Sequence, residues 1–370
     1  MMTKILFLIH DLGQGGAEKV LVNLVNNMDR SKFDISVTVL FGGGVNEQFL
    51  APDIHFRAVF PRMLPGNSKL MKLLSPQQLH RLCVKEHYDI EVSYLEGPAA
   101  RVISGCESRD TKLVCWIHST MMDTCSAAAS FRNTSEAANC YKSFHVIACV
   151  SGNVKQAFEK VFPDTATPLV LYNTLESASI IEQSNEPIPE AVMSSAERNI
   201  ISVGSLKPVK AFDRLLRIHA RLRNEGLPVH TYLLGKGPDL EKLKQQAREI
   251  CPDGTVTFLG YDTNPYRYVS KADLFVCCSL SEGFSTATTE ALIVGTPVCT
   301  VEVSGMKEIL GEHNEFGVIT ENSEDALYLG IKDLLDHPEK LAYYKEKALE
   351  RGKAFSTEKT VQAVEEMLLE

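Results

Sequence analysis

The sequence predicts an α/β protein made of two doubly wound parallel-sheet domains that face a central cleft. Short apolar runs rich in β-forming residues alternate with helical patterns from end to end, which is typical of βα units. The 370 residues also exceed what one hydrophobic core usually serves. Ligands bind outside the carboxyl ends of the strands in such sheets, so we expect functional residues in the loops that follow strands.

The first domain is predicted over residues 1–175. Its strand candidates are Lys4–His10, Asp34–Phe41, Ile90–Leu95, Lys112–His118, Phe144–Val150 and Pro168–Tyr172. Helical patterns lie between several of them, at Ala17–Met28, Pro76–His87 and Asn153–Val161. The alternation of the two patterns indicates a parallel sheet with crossover helices.

Residues 176–196 are predicted to be an interdomain linker, because they are polar, lack aromatic residues and carry Pro187 and Pro189. The second domain, residues 197–355, restarts the pattern. Its strand candidates are Asn199–Gly204, Val229–Gly235, Val256–Gly260, Leu274–Ser279, Pro297–Val303 and Phe316–Ile319. Its helix candidates are Ala211–Asn224, Asp239–Ile250 and Ser285–Val294. Residues 356–370 are amphipathic and are predicted to form a last helix, with packing against the first domain as one option.

Composition excludes several classes of protein. The ten cysteines form no CxxC pair or Cys/His cluster and lie mostly in apolar runs, which favours free buried thiols in a reducing compartment. The apolar stretch Ile5–Ile9 is too short for a signal peptide, and no run approaches the ~20 apolar residues of a spanning helix. A cytoplasmic protein is expected. The net charge of −9 argues against a nucleic-acid partner.

One segment, residues 55–85, carries basic residues and no acidic residue before Glu86. Its six basic side chains are Arg57, Arg62, Lys69, Lys72, Arg81 and Lys85. Such a run is either a solvated face or a patch that contacts anionic lipid or a phosphate-bearing acceptor. The second option predicts a peripheral location on the inner face of the membrane.

Three loops between a strand and a helix could hold phosphate. The Gly13–Gly16 loop opens a helix, but Glu18 stands where a dinucleotide motif needs its third glycine, so an NAD site is not favoured. The Gly235–Gly237 loop lacks the GK[ST] ending of a Walker motif. For both loops a simple tight turn is the alternative. The third loop, Ser281–Ser285, carries the strongest signal.

In this third loop the backbone amides of Phe284 and Ser285 begin a helix, where a diphosphate is favoured. Glu282 and Glu290 flank that position. Carboxylates beside a diphosphate repel it unless they accept hydrogen bonds from hydroxyl groups beyond it. Sugar and ribose diols are such groups, whereas two surface glutamates with no ligand role are the alternative.

The run Glu282-Gly-Phe-Ser-Thr-Ala-Thr-Thr-Glu290, followed by Gly295-Thr-Pro297-Val, resembles the signature of retaining glycosyltransferases of family four, which build bacterial surface polysaccharides. Further matching motifs occur in the family's order along nearly the whole chain. They begin at Gly15-Gly-Ala-Glu18, Ile117-His118-Ser119, Val150-Ser-Gly, Leu171-Tyr-Asn173, Val203-Gly-Ser-Leu-Lys, Phe258-Leu-Gly260 and Lys271-Ala-Asp273. The resemblance implies the GT-B fold, in which two Rossmann-like domains face each other.

The resemblance implies a catalytic role for three residues. His118 resembles the family histidine near the donor sugar, Lys210 is the cation that neutralises the departing diphosphate, and Glu282 holds the donor sugar's hydroxyls. It implies that Glu290 binds the ribose and that backbone near Gly260–Asp262 contacts the base. The full donor-binding set implied is Gly15, Gly16, Gly204, Ser205, Lys210, Gly260, Tyr261, Glu282, Gly283, Phe284, Ser285 and Glu290.

The chain departs from the family pattern at two positions. Ser205 stands where the family often has Arg, and Lys207 is the candidate to replace that charge. Ser285 stands where Pro is common. No pair of carboxylates with DxD-like spacing is visible, so no metal and no cofactor are expected, with a fixed ammonium and helix amides stabilising the leaving group instead.

The function expected from the resemblance is transfer of a hexose or N-acetylhexosamine, with retention, from a nucleotide diphosphate sugar. UDP is the expected carrier, and a glycan or lipid-linked glycan is the expected acceptor. The alternatives are a catalytically silent nucleotide-sugar-binding subunit, which Ser205 favours, and another GT-B enzyme such as an epimerase or a phosphorylase.

Overall fold

The computed structural model describes residues 2–13, 15–63, 71–188, 192–193 and 196–370. The chain divides into two compact units. The first contains Met1–Leu175 together with Thr357–Glu370, and the second contains Glu176–Ser356.

The first unit contains a seven-stranded sheet in the order β3-β2-β1-β4-β5-β6-β7, and its described strand pairs are all parallel. Its strands are β1 Thr3–Ile9, β2 Phe33–Phe41, β3 His55–Phe60, β4 Ile90–Ser93, β5 Lys112–Ile117, β6 Val146–Cys149 and β7 Leu169–Val170. The strand order reverses between β1 and β4, which is the topological switch point where ligands bind in such sheets.

The first six helices described in this unit are α1 Gly16–Asn27, α2 Pro76–Cys83, α3 Pro98–Ile103, α4 Thr124–Ala127, α5 Thr134–Lys142 and α6 Gly152–Val161, with a short 3₁₀ helix at Glu47–Phe49. Strand β3 is absent from the sequence prediction. It is an edge strand that is exposed or half-buried along its whole length, so it lacks the continuous apolar run of the buried strands.

The second unit contains a six-stranded sheet in the order β10-β9-β8-β11-β12-β13, again with parallel pairs. Its strands are β8 Arg198–Val203, β9 Val229–Leu234, β10 Val256–Gly260, β11 Leu274–Cys277, β12 Val298–Val301 and β13 Val318–Thr320. Here the switch point lies between β8 and β11. Loops after these two strands therefore emerge next to each other at the carboxyl edge.

The helices described in the second unit are α7 Ser177–Ser184, α8 Phe212–Asn224, α9 Leu240–Ile250, α10 Tyr266–Val269, α11 Thr286–Ile293, α12 Met306–Leu310, α13 Glu324–Asp336 and α14 Pro338–Gly352, with 3₁₀ turns at Pro208–Lys210 and Lys353–Phe355. The sequence predicts α8, α9 and α11 but not the other five. The main apolar core lies under α8 and α13, where Leu215, Leu216 and Ile331 are fully buried.

Helix α7 corrects the prediction of a plain linker over residues 176–196. It packs on α10 and α11 of the second unit, where Ile180 is buried. The side-chain amide of Asn264 donates to the Gln183 carbonyl at 2.9 Å. A short helix can pack through a single apolar side. Because most of its residues are polar, the sequence of this helix resembles that of a linker. Pro187 follows the helix, and Pro189 lies outside the described residues.

The last helix, α15 Thr357–Leu369, belongs to the first unit and packs against α1. Glu365 is buried there and accepts hydrogen bonds from the Asp29 backbone N–H at 2.7 Å and from the Lys32 ammonium at 2.9 Å. The Thr357 hydroxyl donates to the Leu175 carbonyl at 2.7 Å. The chain therefore returns to its first unit at the end.

No helix in the described part of the chain is both long and apolar enough to cross a membrane.

Candidate functional site

The switch point of the second sheet brings together two of the predicted catalytic residues. Lys210 ends the 3₁₀ turn after β8, and Glu282 lies in the loop between β11 and α11. The Lys210 Nζ atom is 2.5 Å from Glu282 Oε1, and both side chains are mostly buried. The pairing follows from strand order, because β8 and β11 are neighbours although 72 residues separate the two partners.

Two further side chains hold Glu282 in place. The buried Ser279 hydroxyl donates to Oε1 at 2.6 Å, and the Cys277 thiol lies 3.8 Å from the same atom. Burial, reinforced by the charge of Glu282, raises the pKa of Cys277, so the thiol stays protonated and can donate. All the described side-chain contacts of Glu282 are to Oε1, which leaves Oε2 as the oxygen that can accept from a ligand.

Helix α11 begins at the predicted phosphate position with Ser285 as its N-cap. The Ser285 hydroxyl oxygen accepts from the Thr288 backbone N–H at 3.4 Å and from the Thr288 hydroxyl at 3.0 Å. The departure from Pro therefore supplies a capping side chain. Phe284 is buried edge-on against Phe355, with ring centroids 6.0 Å apart. The predicted role of the backbone at Gly283, Phe284 and Ser285 stays a prediction.

Glu290, inside α11, is held by a different element. The Tyr266 hydroxyl on α10 donates to Glu290 Oε1 at 3.2 Å. Burial, followed by the nearby Glu290 charge, raises the pKa of Tyr266 far above its usual range. Tyr266 therefore stays protonated as a donor. The two glutamates of the motif thus have separate supports, a cation and a hydroxyl for Glu282 and a phenol for Glu290.

Three glycines bring the loops after β8, β9 and β10 into contact. Gly235 has φ of +145°, and a Cβ there would lie 1.9 Å from the Gly204 carbonyl oxygen. The Gly235 N–H donates to the Gly260 carbonyl at 2.7 Å, and Gly260 has φ of +74°. The Lys210 side chain passes 3.5 Å from where a Cβ on Gly204 would be. The Lys210 side chain therefore lies beside Gly204, at the edge of the sheet where these three loops meet.

Ser205 stands where the family often has Arg, and Lys207 is the candidate to replace that charge. The structure places the two residues in different surroundings. Ser205 is exposed at this edge, whereas Lys207 lines a groove together with Asp213 and Asp239. Lys210 lines a different, small cavity with Glu282. A lysine that sequence reasoning missed, Lys236 in the Gly235–Gly237 loop, lies beside Ser205.

At the carboxyl edge of the first sheet, His118 follows β5. Its backbone N–H donates to Glu96 Oε2 at 2.9 Å, and its ring lies 5.0 Å from the Tyr94 ring. Burial lowers the pKa of His118 to about 3, although a hydrogen bond with the Tyr94 backbone opposes the shift. The Nε2 atom is buried without a partner among the described residues. A neutral imidazole with an unsatisfied nitrogen is a candidate ligand contact. Glu96, which supports it, was missed because its role depends on β4 lying beside β5.

The Gly15–Gly16 loop contains an unexpected carboxylate. Gly15 caps α1, and a Cβ on Gly15 would lie 2.0 Å from Glu18 Oε2, so Glu18 folds over the predicted phosphate position. Burial, and then the charge of Asp11, raises the pKa of Glu18. Asp11 in turn accepts from the Gly13 N–H and contacts His10, each at 2.7 Å. Gln14 lies outside the described residues.

One cluster of metal-type side chains occurs in the described part of the chain, and it lies away from these loops. His80 Nε2 is 2.8 Å from Glu91 Oε2, and Cys106 Sγ is 3.8 Å from Glu91 Oε1. Glu91 is near the amino end of β4, whereas the predicted site residues follow the carboxyl ends of strands. The three groups satisfy one another, so the cluster is explained as the support of a buried carboxylate.

Comparison with known proteins places both halves of the chain in one kind of enzyme. Residues 14–174 match the family model described as Glycosyltransferase Family 4, and residues 186–351 match the one described as Glycosyl transferases group 1. The N-acetylgalactosamine-N,N'-diacetylbacillosaminyl-diphospho-undecaprenol 4-alpha-N-acetylgalactosaminyltransferase of Campylobacter jejuni is 27% identical and covers 96% of each chain.

Two solved structures are similar over nearly the full length. Anabaena Alr3699/HepE in complex with UDP has a TM-score of 0.78 at 20% identity and covers 99% of each chain. The sucrose-phosphate synthase of Thermosynechococcus elongatus has a TM-score of 0.79 at 16% identity, covering 99% of this chain and 98% of its own. At such identities the likeness shows the fold, and it confirms the predicted GT-B fold with its two Rossmann-like domains.

Proposed function

This chain belongs to the glycosyltransferases of family four, and we propose that it transfers a hexose or N-acetylhexosamine from a UDP-sugar, with retention and without a metal. The proposed acceptor is a glycan or lipid-linked glycan in surface polysaccharide synthesis. The observation that carries the proposal is the Lys210–Glu282 pair at the switch point of the second sheet.

The pair has the two charges that this chemistry needs. As the glycosidic bond breaks, the diphosphate leaving group gains negative charge, and a fixed ammonium stabilises that state more than the ground state. Without donor, Glu282 neutralises Lys210. A bound diphosphate competes for the ammonium, and Glu282 is then released to accept hydrogen bonds from sugar hydroxyls. Donor binding thus exchanges one ion pair for another.

Glu290 and His118 complete the proposed donor contacts. Glu290, supported by Tyr266, accepts from the ribose hydroxyls of the nucleotide. His118 offers a neutral Nε2 to a sugar hydroxyl, since its pKa of about 3 keeps it uncharged at neutral pH. A neutral imidazole orients a hydroxyl by one hydrogen bond and does not serve as a proton donor to the leaving group.

The comparisons support the choice of donor and acceptor class. The Campylobacter relative is named for transfer of N-acetylgalactosamine to an undecaprenol-linked acceptor, and the Anabaena structure contains UDP. Both names are consistent with a UDP-sugar and a lipid-linked acceptor for this chain.

A membrane-linked acceptor gives the basic segment a proposed role. Edge strand β3 exposes Phe56 and Phe60, and Met63 follows it, among Arg57 and Arg62. Apolar side chains among basic ones suit an anionic lipid surface. Arg57→Glu with Lys72→Glu should weaken binding to vesicles containing phosphatidylglycerol, and Lys242→Glu with Lys244→Glu on the second unit is the control. Lys69 lies outside the described residues. Equal binding by both variants would remove the membrane role.

The proposal is tested by incubating the protein with a panel of nucleotide sugars and lipid-linked acceptors, with and without chelator, while nucleotide release is followed. The anomeric configuration of the product, read by NMR, tests retention. No release with any pair would favour the silent-subunit alternative, which rests on Ser205. Loss of activity in chelator would contradict the metal-free mechanism.

A further inference from the structure

The loops after β8 and β9 lie side by side in the second unit, and they place Lys236 next to Ser205. The Leu206 N–H donates to the Lys236 carbonyl at 3.0 Å. A Cβ on Gly237 would lie 2.3 Å from the Leu206 carbonyl oxygen, so the two backbones are in direct contact. Residues 205 and 236 therefore lie on neighbouring backbone segments.

The Lys236 side chain extends toward the third loop of the same edge. Its Nζ atom lies 4.5 Å from the centre of the Tyr261 ring, and Tyr261 is 58% exposed. A ring face attracts an ammonium and holds it in one place. The contact keeps the charge at the surface of the loops that carry Gly204, Gly235 and Gly260.

The other two lysines near Ser205 have different surroundings. Lys210 forms an ion pair with Glu282. Lys207 is exposed, has no ion pair among the described residues, and lines a separate groove with acidic and basic side chains, among them Asp213 and Arg217. Within the described residues no ion pair engages Lys236. It is therefore a cation at this edge whose charge is not neutralised by a carboxylate, and it is free to meet an anion.

We propose that Lys236, held by Tyr261, supplies to the donor diphosphate the positive charge that Ser205 lacks. The inference rests on the proposed function and names a residue that the sequence motifs do not identify. In this chain an ammonium on the loop after β9 takes the place of the guanidinium that the family often has on the loop after β8. A lysine can take this role because its ammonium can approach a phosphate from several directions. It does not form the two parallel hydrogen bonds that a guanidinium forms with a phosphate.

The test compares nucleotide binding by variants of the full chain, using calorimetry with UDP and with uridine. Lys236→Gln should weaken UDP binding about tenfold or more and leave uridine binding unchanged, because uridine lacks the phosphates. Lys207→Gln, the matched control, removes the same charge from the neighbouring loop and should change UDP binding less than twofold. Adding Ser205→Arg to Lys236→Gln should restore UDP binding, since it returns a cation to the family position.

The outcomes distinguish a failure of the inference about Lys236 from a failure of the proposed function. Equal UDP affinities for Lys236→Gln and Lys207→Gln overturn the inference and leave the proposed function standing. Equal losses for UDP and uridine also overturn it, because they indicate a damaged loop and not a lost phosphate contact. Failure of the unmodified protein to bind UDP, GDP, ADP or dTDP would remove the proposed function together with the inference. Restoration by Ser205→Arg is the result that a merely structural role of Lys236 would not produce.

Discussion

The carboxyl edges of the two sheets are built from the same topology, but they distribute charge differently. In the second unit, loops from two adjacent strands bring opposite charges together, as Lys210 and Glu282. In the first unit two carboxylates are satisfied without a lysine or arginine: Asp11 contacts His10 and the Gly13 N–H, and Glu96 accepts from the His118 N–H. The second edge is therefore suited to a charged ligand. The first edge offers a neutral group, His118, to an uncharged ligand.

Two histidines show that a lowered pKa alone does not identify a site. Burial lowers the pKa of His118 to about 3 and that of His219 to about 4. His219 lies in the core of the second unit, and its ring nitrogens contact the hydroxyls of Thr231 at 2.9 Å and Thr255 at 2.8 Å. The Nε2 atom of His118 has no such partner among the described residues. The unsatisfied atom, and not the pKa, marks the candidate contact.

The largest effect is expected at the charged edge. Lys210→Ala and Glu282→Ala should each lower kcat about 10²- to 10³-fold, the size found when one preorganised group that stabilises transition-state charge is lost. The measurement is nucleotide release with the donor and acceptor selected by the panel. Lys207→Ala is the control, since its side chain lies in another groove. Near-normal rates would show that Lys210 and Glu282 do not act in the reaction, and would contradict the proposed difference between the two edges.

The second prediction sharpens the contrast between the histidines. His118→Ala should lower kcat/KM about tenfold or more for the intact donor and leave the Kd of UDP unchanged, because its proposed partner is the sugar. His219→Ala should instead reduce stability, by about 1–3 kcal/mol, because it leaves a cavity in the core and removes the ring that contacts the buried Thr231 hydroxyl. Initial rates over a range of UDP-sugar concentrations, calorimetric titration with UDP, and urea unfolding distinguish the two. A loss of UDP affinity in His118→Ala would place that residue elsewhere.

A smaller effect is expected at the support of Glu290. Tyr266→Phe removes one hydrogen bond to the carboxylate and should raise the donor KM about three- to tenfold with little change in kcat. Tyr343→Phe, at an exposed position, is the matched control. The comparison is made by initial rates over a range of donor concentrations. An effect on kcat alone would contradict the assignment of Glu290 to the ribose.

The last prediction concerns the dependence of stability on pH. Between pH 6.5 and 5 the unfolded chain protonates His118 and His219 while the folded chain does not, so the unfolded state binds more protons and stability falls as pH falls. Each of these two histidines contributes a loss of up to about 1.4 kcal/mol per pH unit. Urea unfolding at pH 7, 6 and 5 measures the slope. His219→Asn should flatten it, and an unchanged slope would show that His219 is not neutral when folded.

Much of the fold was predictable because buried parallel strands are continuous apolar runs. Thus β1, β5 and β11 were recognised from local sequence. Strand β3 and helix α7 were not, since each buries only part of its surface and reads as polar. The local pattern of apolar residues reflects how much of a helix or strand is buried. Elements at the edge of a sheet or core are therefore difficult to predict from sequence.

The site divides in the same way. Glu282, Ser285 and Glu290 lie on one loop and one helix, so their order along the chain, matched to the family signature, predicts that they act together. Tyr266, Glu96 and Lys236 carry no motif. Each is recognised only from the neighbouring strand or helix that its side chain or backbone contacts.

The sequence by itself determined the two-domain α/β architecture, the family and the Glu282–Glu290 motif, because each consists of short local patterns that follow one another along the chain. The tertiary structure alone decided which cation meets Glu282 and which lysine stands beside Ser205. Both depend on the order of strands in the second sheet, where β8 lies between β9 and β11. That order brings distant loops within reach of one charge, and no local spacing encodes it.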